Sequence, residues 1–539
     1  MAKGRAQEGS ALVVAALLVV ACIGLVFAIE LASPAANSRA DRASERALAE
    51  AREALIAYAA DRPINAVVGP GYLPCPDLDD DGWAESTCGS QTGDSGQAQR
   101  LGRLPWKTLG ISDLRDGYGE RLWYAVSSKY KGLLNCGVSR ACLDMTPGAA
   151  LGTITVRDNT GAIVHDGTVA DAYRADTGGA VAVVIAPGPA LERAGGAAQS
   201  RGCTPQDCDA SGRCVTDPPQ RADHCNPVNY LDKASGARYA DEDNADFVDR
   251  NDGAGRPRNA NGFIQGPVAL PDGRVAVNDR IGVVAYRDVM PRIMARVALE
   301  ASHCLRRYAA SPENRGRYPW ATPACLQSGD VWEGRRGARF GRIPDTPFAD
   351  AAATAMLDRW WRGQSRAPEN LLGLPTANEA CRIAIAPSDD GAHRSLPAGN
   401  PAGEGGTAGH DANSWWSAWK PYVFYALASG FSPGTGAPSC DGAACLELVD
   451  PSGRAVGAPR QFAVIVAGAP AVRDGFVQSR GGANLAQVRQ WLEEANAQLE
   501  GAAGCTPPPG FTCEGLRSCD RVTTGAGMRR FNDVVSAYP

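Results

Sequence analysis

Val181-Ala-Val-Val-Ile-Ala-Pro-Gly-Pro189 returns later in the same chain as Phe462-Ala-Val-Ile-Val-Ala-Gly-Ala-Pro470, and each copy then reaches Gln-Ser-Arg, at Gln199 and at Gln478. Upstream of each copy the pattern continues. Trp123-Tyr124-Ala125-Val126-Ser127 matches Phe424-Tyr425-Ala426-Leu427-Ala428-Ser429, and Gly102-Arg-Leu-Pro105 matches Gly341-Arg-Ile-Pro344. Tyr58-Ala59-Ala60 matches Tyr308-Ala309-Ala310, where Met290, Ile293, Val297, Ala301, Cys304, Leu305 and Tyr308 keep helical spacing. Because the matches fall in the same order in both halves, the chain reads as an internal repeat of one globular unit.

Each copy reads as helix, long loop, strands and a cysteine-rich segment. Expected strands are Leu122 to Ser127, Gly152 to Arg157, Val181 to Ala186, Tyr422 to Ala426, Leu446 to Val449 and Phe462 to Ala467. Asp158-Asn-Thr-Gly161 and Asp450-Pro-Ser-Gly453 are turn sequences suited to hairpins. The boundary between copies is expected near Asn278 to Arg287, and Gly399 to His410 reads as a loop within the second.

The chain has 539 residues, 54 Lys and Arg against 59 Asp and Glu, a net charge of −5 with the signs interspersed. That balance argues against nucleic acid as a partner, which needs a clustered basic surface. Glycine at 62 and proline at 37 make the chain loop-rich, while 44% apolar residues and 21% charged ones exclude disorder.

Seventeen cysteines, most of them in close groups, favour disulfides in an oxidising compartment. The candidates are Cys75 with Cys88, Cys136 with Cys142, Cys304 with Cys325 and Cys440 with Cys445, although connectivity does not follow from sequence. Zinc is disfavoured by only five histidines and the lack of a C-x-x-C pair.

The first thirty residues supply a compartment. Lys3 and Arg5 precede an uncharged run from Ser10 to Ile29, long enough as a helix to cross a bilayer core of about 30 Å. Positive residues on the leader side place everything after Glu30 across the membrane. From Ser38 to Ala60, Ala40, Ala43, Ala47, Leu48, Ala51, Leu55 and Tyr58 form one face of an amphipathic helix, with Arg42, Glu45, Arg46, Glu50, Arg52 and Glu53 opposite.

A basic leader ending in Gly9, an apolar run and a direct continuation into an amphipathic helix resemble the N-terminus of type IV pilins and type II secretion pseudopilins. The resemblance implies cleavage by a prepilin peptidase between Gly9 and Ser10. The family usually carries glutamate as the fifth residue after the cut, whereas this chain has Val14, and Gly9 to Val14 looks more like minor pilins and tip pseudopilins. Asp116-Gly117-Tyr118-Gly119-Glu120-Arg121-Leu122-Trp123-Tyr124 is similar to the Asp-Pro-Trp-Gly segment ahead of a strand in major pseudopilins.

The resulting expectation is an α+β fold: an N-terminal transmembrane and amphipathic helix followed by two tandem pilin-like heads with mostly antiparallel sheets. Its divisions are a leader at 1–9, a transmembrane helix at 10–29, the amphipathic continuation at 30–60, a first head at 61–285 and a second at 286–539. The expected function is that of a structural, non-enzymatic subunit of a type IV pilus or type II secretion pseudopilus, minor or tip-located, with adhesion or substrate contact. Its partners are other pilin or pseudopilin subunits, the prepilin peptidase and the inner membrane, with periplasmic heads or a place at an extracellular filament tip. The alternative is a single-span periplasmic enzyme or binding protein outside any filament.

Asp77, Asp79, Asp81 and Gly82 follow the opening of a calcium loop, with Glu85 to complete the shell and Cys88 at the twelfth position. Calcium is therefore the one cofactor considered, against a solvated acidic turn, and no organic cofactor is expected. Asp207-Cys-Asp209-Ala-Ser211-Gly212 is a poorer version. Gly93-Asp94-Ser95-Gly96 and His303 look like pieces of a serine protease in the wrong order, on a polar loop and a helix, and no catalytic residue is assigned. His165, His224, His393 and His410 lack ligand spacing, and the doublets Trp360-Trp361 and Trp415-Trp416 read as packing residues.

Overall fold

The computed structural model describes residues 38–61, 70–86, 88, 100–128, 130, 151–169, 178–193, 198–201, 226–247, 262–270, 272–310, 315–323, 338–344, 419–433, 437–441, 444–450, 452–473, 476–480, 484–485, 487–493, 496, 521–523 and 533–539. In chain order the first half contains α1 (38–61), β1 (Leu101–Arg103), the single turn α2 (Trp106–Leu109), β2 (Trp123–Val126), β3 (Val156–Arg157) and β4 (Ile163–His165). It continues with β5 (Ala182–Ala186), β6 (Phe263–Ile264), β7 (Val268–Ala269), β8 (Val275–Val277) and β9 (Arg280–Val284). The second half contains α3 (Tyr286–Ala310), β10 (Phe340–Arg342), β11 (Val423–Leu427), β12 (Glu447–Val449), β13 (Phe462–Val466), β14 (Val472–Arg473), β15 (Phe476–Val477), β16 (Arg521–Thr523) and β17 (Val534–Tyr538).

The two main sheets have the same plan, β1-β2-β5-β9 and β10-β11-β13-β17, antiparallel throughout. Their registers agree residue by residue. Arg103 faces Trp123, which faces Ile185, which faces Ile281; Arg342 faces Phe424, which faces Ile465, which faces Val535. This register makes Ala182, not Val181, the counterpart of Phe462. The one-residue difference escapes a sequence comparison because β5 and β13 are buried at all five positions each, so neither shows the alternation that marks a face. The small sheets correspond too: β3 pairs in parallel with β6, and β12 in parallel with β16.

One helix lies on each sheet. The apolar stripe of α1 (Ala47, Leu48, Ala51, Leu55, Ile56, Ala59) and that of α3 (Val289, Ile293, Val297, Ala301, Leu305) are buried in one continuous hydrophobic cluster. The cluster also contains Tyr124, Val184 and Val284 of the first sheet and Tyr425, Val464 and Val466 of the second. A second cluster, with Trp123, Ile185, Tyr230, Phe247 and Phe263, covers the other face of the first sheet. Arg52 with Asp288 at 3.3 Å, Arg292 with Glu53 at 3.1 Å and Arg296 with Asp61 at 3.9 Å link the two helices across partly exposed ground, where ion pairs add little stability.

These findings correct the expected α+β fold led by a transmembrane helix. Among the described residues the architecture is mostly sheet with few helices, and no helix is long and apolar enough to cross a membrane. The reason is visible in α1 and α3, whose charged residues recur every turn opposite a narrow apolar stripe, so that each covers a sheet. One hydrophobic cluster holds residues of both main sheets. The apolar run 10–29, Gly9 and Ser10 lie outside the described residues.

Candidate functional site

The acidic loop is held at both ends. Cys75 and Cys88 form a disulfide, and the backbone of Asp77 pairs with that of Arg103 at the edge of β1, at 3.0 Å and 2.7 Å. Within this frame the chain wraps tightly, with Asp80 at φ 61° and Gly82 at φ 86° in the left-handed region. The side chain of Asp77, 1% exposed, accepts from Asp81 N at 3.2 Å and Gly82 N at 2.7 Å. Glu85 Oε1 accepts from Leu78 N at 3.2 Å, and Asp79 Oδ1 accepts from Asp81 N at 3.4 Å.

Carboxylate oxygens of Asp77, Asp79 and Glu85 lie within 4.8 Å of one another. Asp81 is not part of that group; its Oδ1 accepts from Trp83 N at 2.7 Å, and its carbonyl accepts from Lys107 Nζ. Asp80 turns away to Arg121, 2.8 Å distant. Burial pushes the Asp77 carboxyl up to about 8; the Gly82 N–H opposes this, and the charges of Asp80, Asp81 and Asp79 add to it. Three hard oxygen donors on one tight loop suit a cation of the calcium or magnesium type, whose charge would offset the cost of ionising Asp77.

At the matching position of the second half the buried carboxylate is replaced. Thr322 stands where Asp77 does, pairing with Arg342 at the edge of β10 as Asp77 pairs with Arg103. Among the described residues the acidic loop occurs only in the first half, on a strand-edge pairing common to both.

The Asp116-Gly117-Tyr118-Gly119 turn fastens α1 to the first sheet. Asp116 Oδ1 accepts from Tyr118 N at 2.8 Å and Glu120 N at 2.9 Å, while its Oδ2 accepts from Gly188 N at 2.8 Å beyond the end of β5. Gly117 N donates to Ser44 Oγ at 3.0 Å, and a Cβ on Gly117 would stand 1.9 Å from the Ala40 carbonyl oxygen. Only a glycine permits so close an approach to the helix backbone.

The Gln-Ser-Arg repeats form matching polar knots. Gln199 Oε1 accepts from Leu191 N at 2.9 Å and its Nε2 donates to Leu231 O at 3.2 Å; Gln478 accepts from Ala471 N at 3.0 Å and donates to Leu492 O at 3.1 Å. Arg201 Nη1 donates to Gly188 O and Arg480 Nη1 to Gly468 O, and both arginines reach back to their own Gln side chain and to a carbonyl, Tyr230 O or Trp491 O. Next to each knot lie two buried carboxyl side chains that sequence inspection did not single out, Asp232 with Asp279 and Glu493 with Asp533. Their partners are 47 and 40 residues apart, beyond any local pattern.

Of the other candidate cysteines, Cys440 and Cys445 form a disulfide and Cys304 is buried on α3. Cys136, Cys142 and Cys325 lie outside the described residues, as do Ser95, Asp207, Asp209, His224, His393, His410 and the tryptophan doublets. His303 is half-buried on α3 and His165 ends β4, its Nδ1 within 3.2 Å of Gly178 O. Burial holds His165 below the usual histidine range. Compared with known protein families, curated proteins and solved structures, the chain matches none.

Proposed function

We propose that this chain is a structural, non-enzymatic subunit of the pilin and pseudopilin kind, minor or tip-located. In this reading the segment 10–29 holds it at the inner membrane, and the paired sheets stand on the extracytoplasmic side, where the second half makes adhesive or substrate contact. One observation carries the reading: Gly9-Ser10 and the uncharged run to Ile29 lead into α1, whose inner stripe belongs to the common core. A helix that follows an apolar segment in sequence and packs into the β core can transmit anchoring to that core. The disulfides Cys75–Cys88 and Cys440–Cys445 suit an oxidising compartment. On the same reading the acidic loop is a calcium-binding turn that stiffens the first half.

The test is the N-terminal sequence of the protein recovered from membranes, with and without an active prepilin peptidase and with Gly9→Val. A start at Ser10 that needs both the peptidase and Gly9 is expected. An intact leader in every sample would overturn the proposal in favour of a single-span binding protein or enzyme.

A further inference from the structure

The repeat aligns α1 with α3 residue by residue, Tyr58 with Tyr308 and Ala59 with Ala309. The backbone keeps the same correspondence. Gly71 N donates to Ala59 O at 2.7 Å and Gly316 N to Ala309 O at 2.9 Å, while the hydroxyls of Tyr124 and Tyr425 donate to Pro74 O at 3.0 Å and Pro319 O at 3.3 Å. The stripe Ala47, Ala51, Leu55 corresponds to Val297, Ala301, Leu305, and both are buried. Arg42 and Arg46 therefore correspond to Arg292 and Arg296, and Arg39 and Ala43 to Val289 and Ile293.

That correspondence shows how the two helices meet. Arg292 reaches Glu53 at 3.1 Å and Arg296 reaches Asp61 at 3.9 Å. Each contact joins a residue of α3 to one several turns beyond its own counterpart in α1, so the helices run parallel with a stagger of about 20 Å at about 1.5 Å per residue. A two-fold relation would have Arg42 and Arg46 reach α3 in return. Instead His303 and Ser311 stand in sequence at the places of Glu53 and Asp61, and Arg42 and Arg46 are exposed. The packing is head-to-tail, and a head-to-tail contact leaves one face of its first member unused.

On α1 that face is Arg39, Arg42, Ala43 and Arg46, all exposed, whereas their counterparts Val289 and Ile293 are buried and Arg296 is half-buried. The acids on the neighbouring side of α1 are drawn away: Asp41 and Glu45 lie 2.8 Å and 3.4 Å from Arg280 of β9. Glu50, one turn beyond Arg46, is the acid left on this side. Arg42 Nε donates to Ser38 O at 3.1 Å, and the three arginines make no ion pair among the described residues. Ala43 between them is small enough for another backbone to come close.

We propose that this face of α1 docks a helix of a different chain, laid parallel to α1 and carrying two carboxylates eight positions apart, as α1 itself offers Glu53 and Asp61 to α3. Charge complementarity and the interface already present within the chain define this occupant. A second copy does not supply it. Its Glu53 and Asp61 are engaged by its own α3, and that α3 offers Leu299, 53% exposed, His303 and Ser311 where carboxylates are needed. The docking goes beyond the anchoring role proposed above and stands on the packing of α1 against α3, so it holds whether or not Gly9 is cleaved.

The probe is a fluorescent peptide of residues 47–61, held helical by a staple joining positions 47 and 51, on the side away from Glu53 and Asp61. Titration with the full chain, followed by anisotropy, is expected to show binding that weakens about tenfold with Arg42→Glu/Arg46→Glu and falls in about 0.5 M salt. A peptide carrying Glu53→Lys and Asp61→Lys is expected to prefer that variant over the parent, a reversal that an unfolded variant would not give. Equal binding of the first peptide to parent and variant would overturn the docking, as would no binding of either peptide to either chain. A fall in the mass of the chain itself by light scattering in the variant would overturn it in favour of a second copy.

Discussion

Arg103 and Arg342 occupy the same register position in their two sheets, and each lays its guanidinium over the aromatic residue opposite, 4.2 Å from the Trp123 ring centroid and 3.5 Å from that of Phe424. A second ring borders each guanidinium, Tyr230 at 4.1 Å from Arg103 and Trp491 at 4.8 Å from Arg342. A planar cation against two aromatic rings gains both dispersion and electrostatic attraction, and lysine cannot reproduce the stacking.

Arg103→Lys and Arg342→Lys should each destabilise the chain by about 2 kcal/mol, with Ala costing more, because a compact ammonium loses the planar contact with both rings. Urea unfolding of the purified protein measures this. Equal losses at the two sites are expected from their matching geometry.

Gly117→Ala should cost more than Gly119→Ala. At Gly117 a methyl would collide with the Ala40 carbonyl and push α1 off the sheet, a loss of about 2 kcal/mol or more. At Gly119, with φ 88° and nothing within 4 Å of the added carbon, the penalty is conformational, about 1 kcal/mol. Thermal unfolding of both variants gives the ranking, and exchange protection across 38–61 should fall only for Gly117→Ala.

Reducing or deleting the Cys75–Cys88 bridge, whose partners are 13 residues apart, should lower stability by about 2 to 3 kcal/mol. Unfolding midpoints of Cys75→Ser/Cys88→Ser against the parent provide the measurement. The same variant should weaken any cation effect, since the bridge frames the loop that carries Asp77, Asp79 and Glu85.

Calcium at millimolar concentration should raise the unfolding temperature of the parent, by mass action on the folded state. Asp79→Asn, which turns a half-buried carboxylate ligand into a neutral amide while leaving the buried Asp77 turn intact, should abolish most of the rise. An equal rise in parent and variant would show that the cation acts elsewhere.

Gln199→Ala and Gln478→Ala should each cost about 1 to 3 kcal/mol, because each amide satisfies buried backbone groups that would be left without partners. Guanidinium unfolding checks the pair, and the two losses should agree closely.

Much of this architecture was legible in the residues. Strand cores such as Ala182–Ala186 and Phe462–Val466 stand out as short apolar runs, and Asp158-Asn-Thr-Gly161 and Asp450-Pro-Ser-Gly453 close turns in which the Asp oxygen accepts from the residue two positions on. The acidic loop was legible too, because its ligands are neighbours in sequence, although the fold keeps Asp77, Asp79 and Glu85 together and leaves Asp81 out.

Local sequence determined the elements whose physics is local: the amphipathic stripe of α1, the turns, the acidic loop and the ordered repeat itself. It did not reveal β17, or β9, which lies where a boundary between copies was expected, because a half-buried edge strand such as Val534–Tyr538 has no signal until a neighbour supplies its ladder. Tertiary contact also decided the balance toward sheet, the single core through both halves, and the meeting of Asp232 with Asp279 and of Glu493 with Asp533. Burial and charge coupling depend on what surrounds a group in space, and residues tens of positions apart acquire those surroundings only when the chain closes on itself.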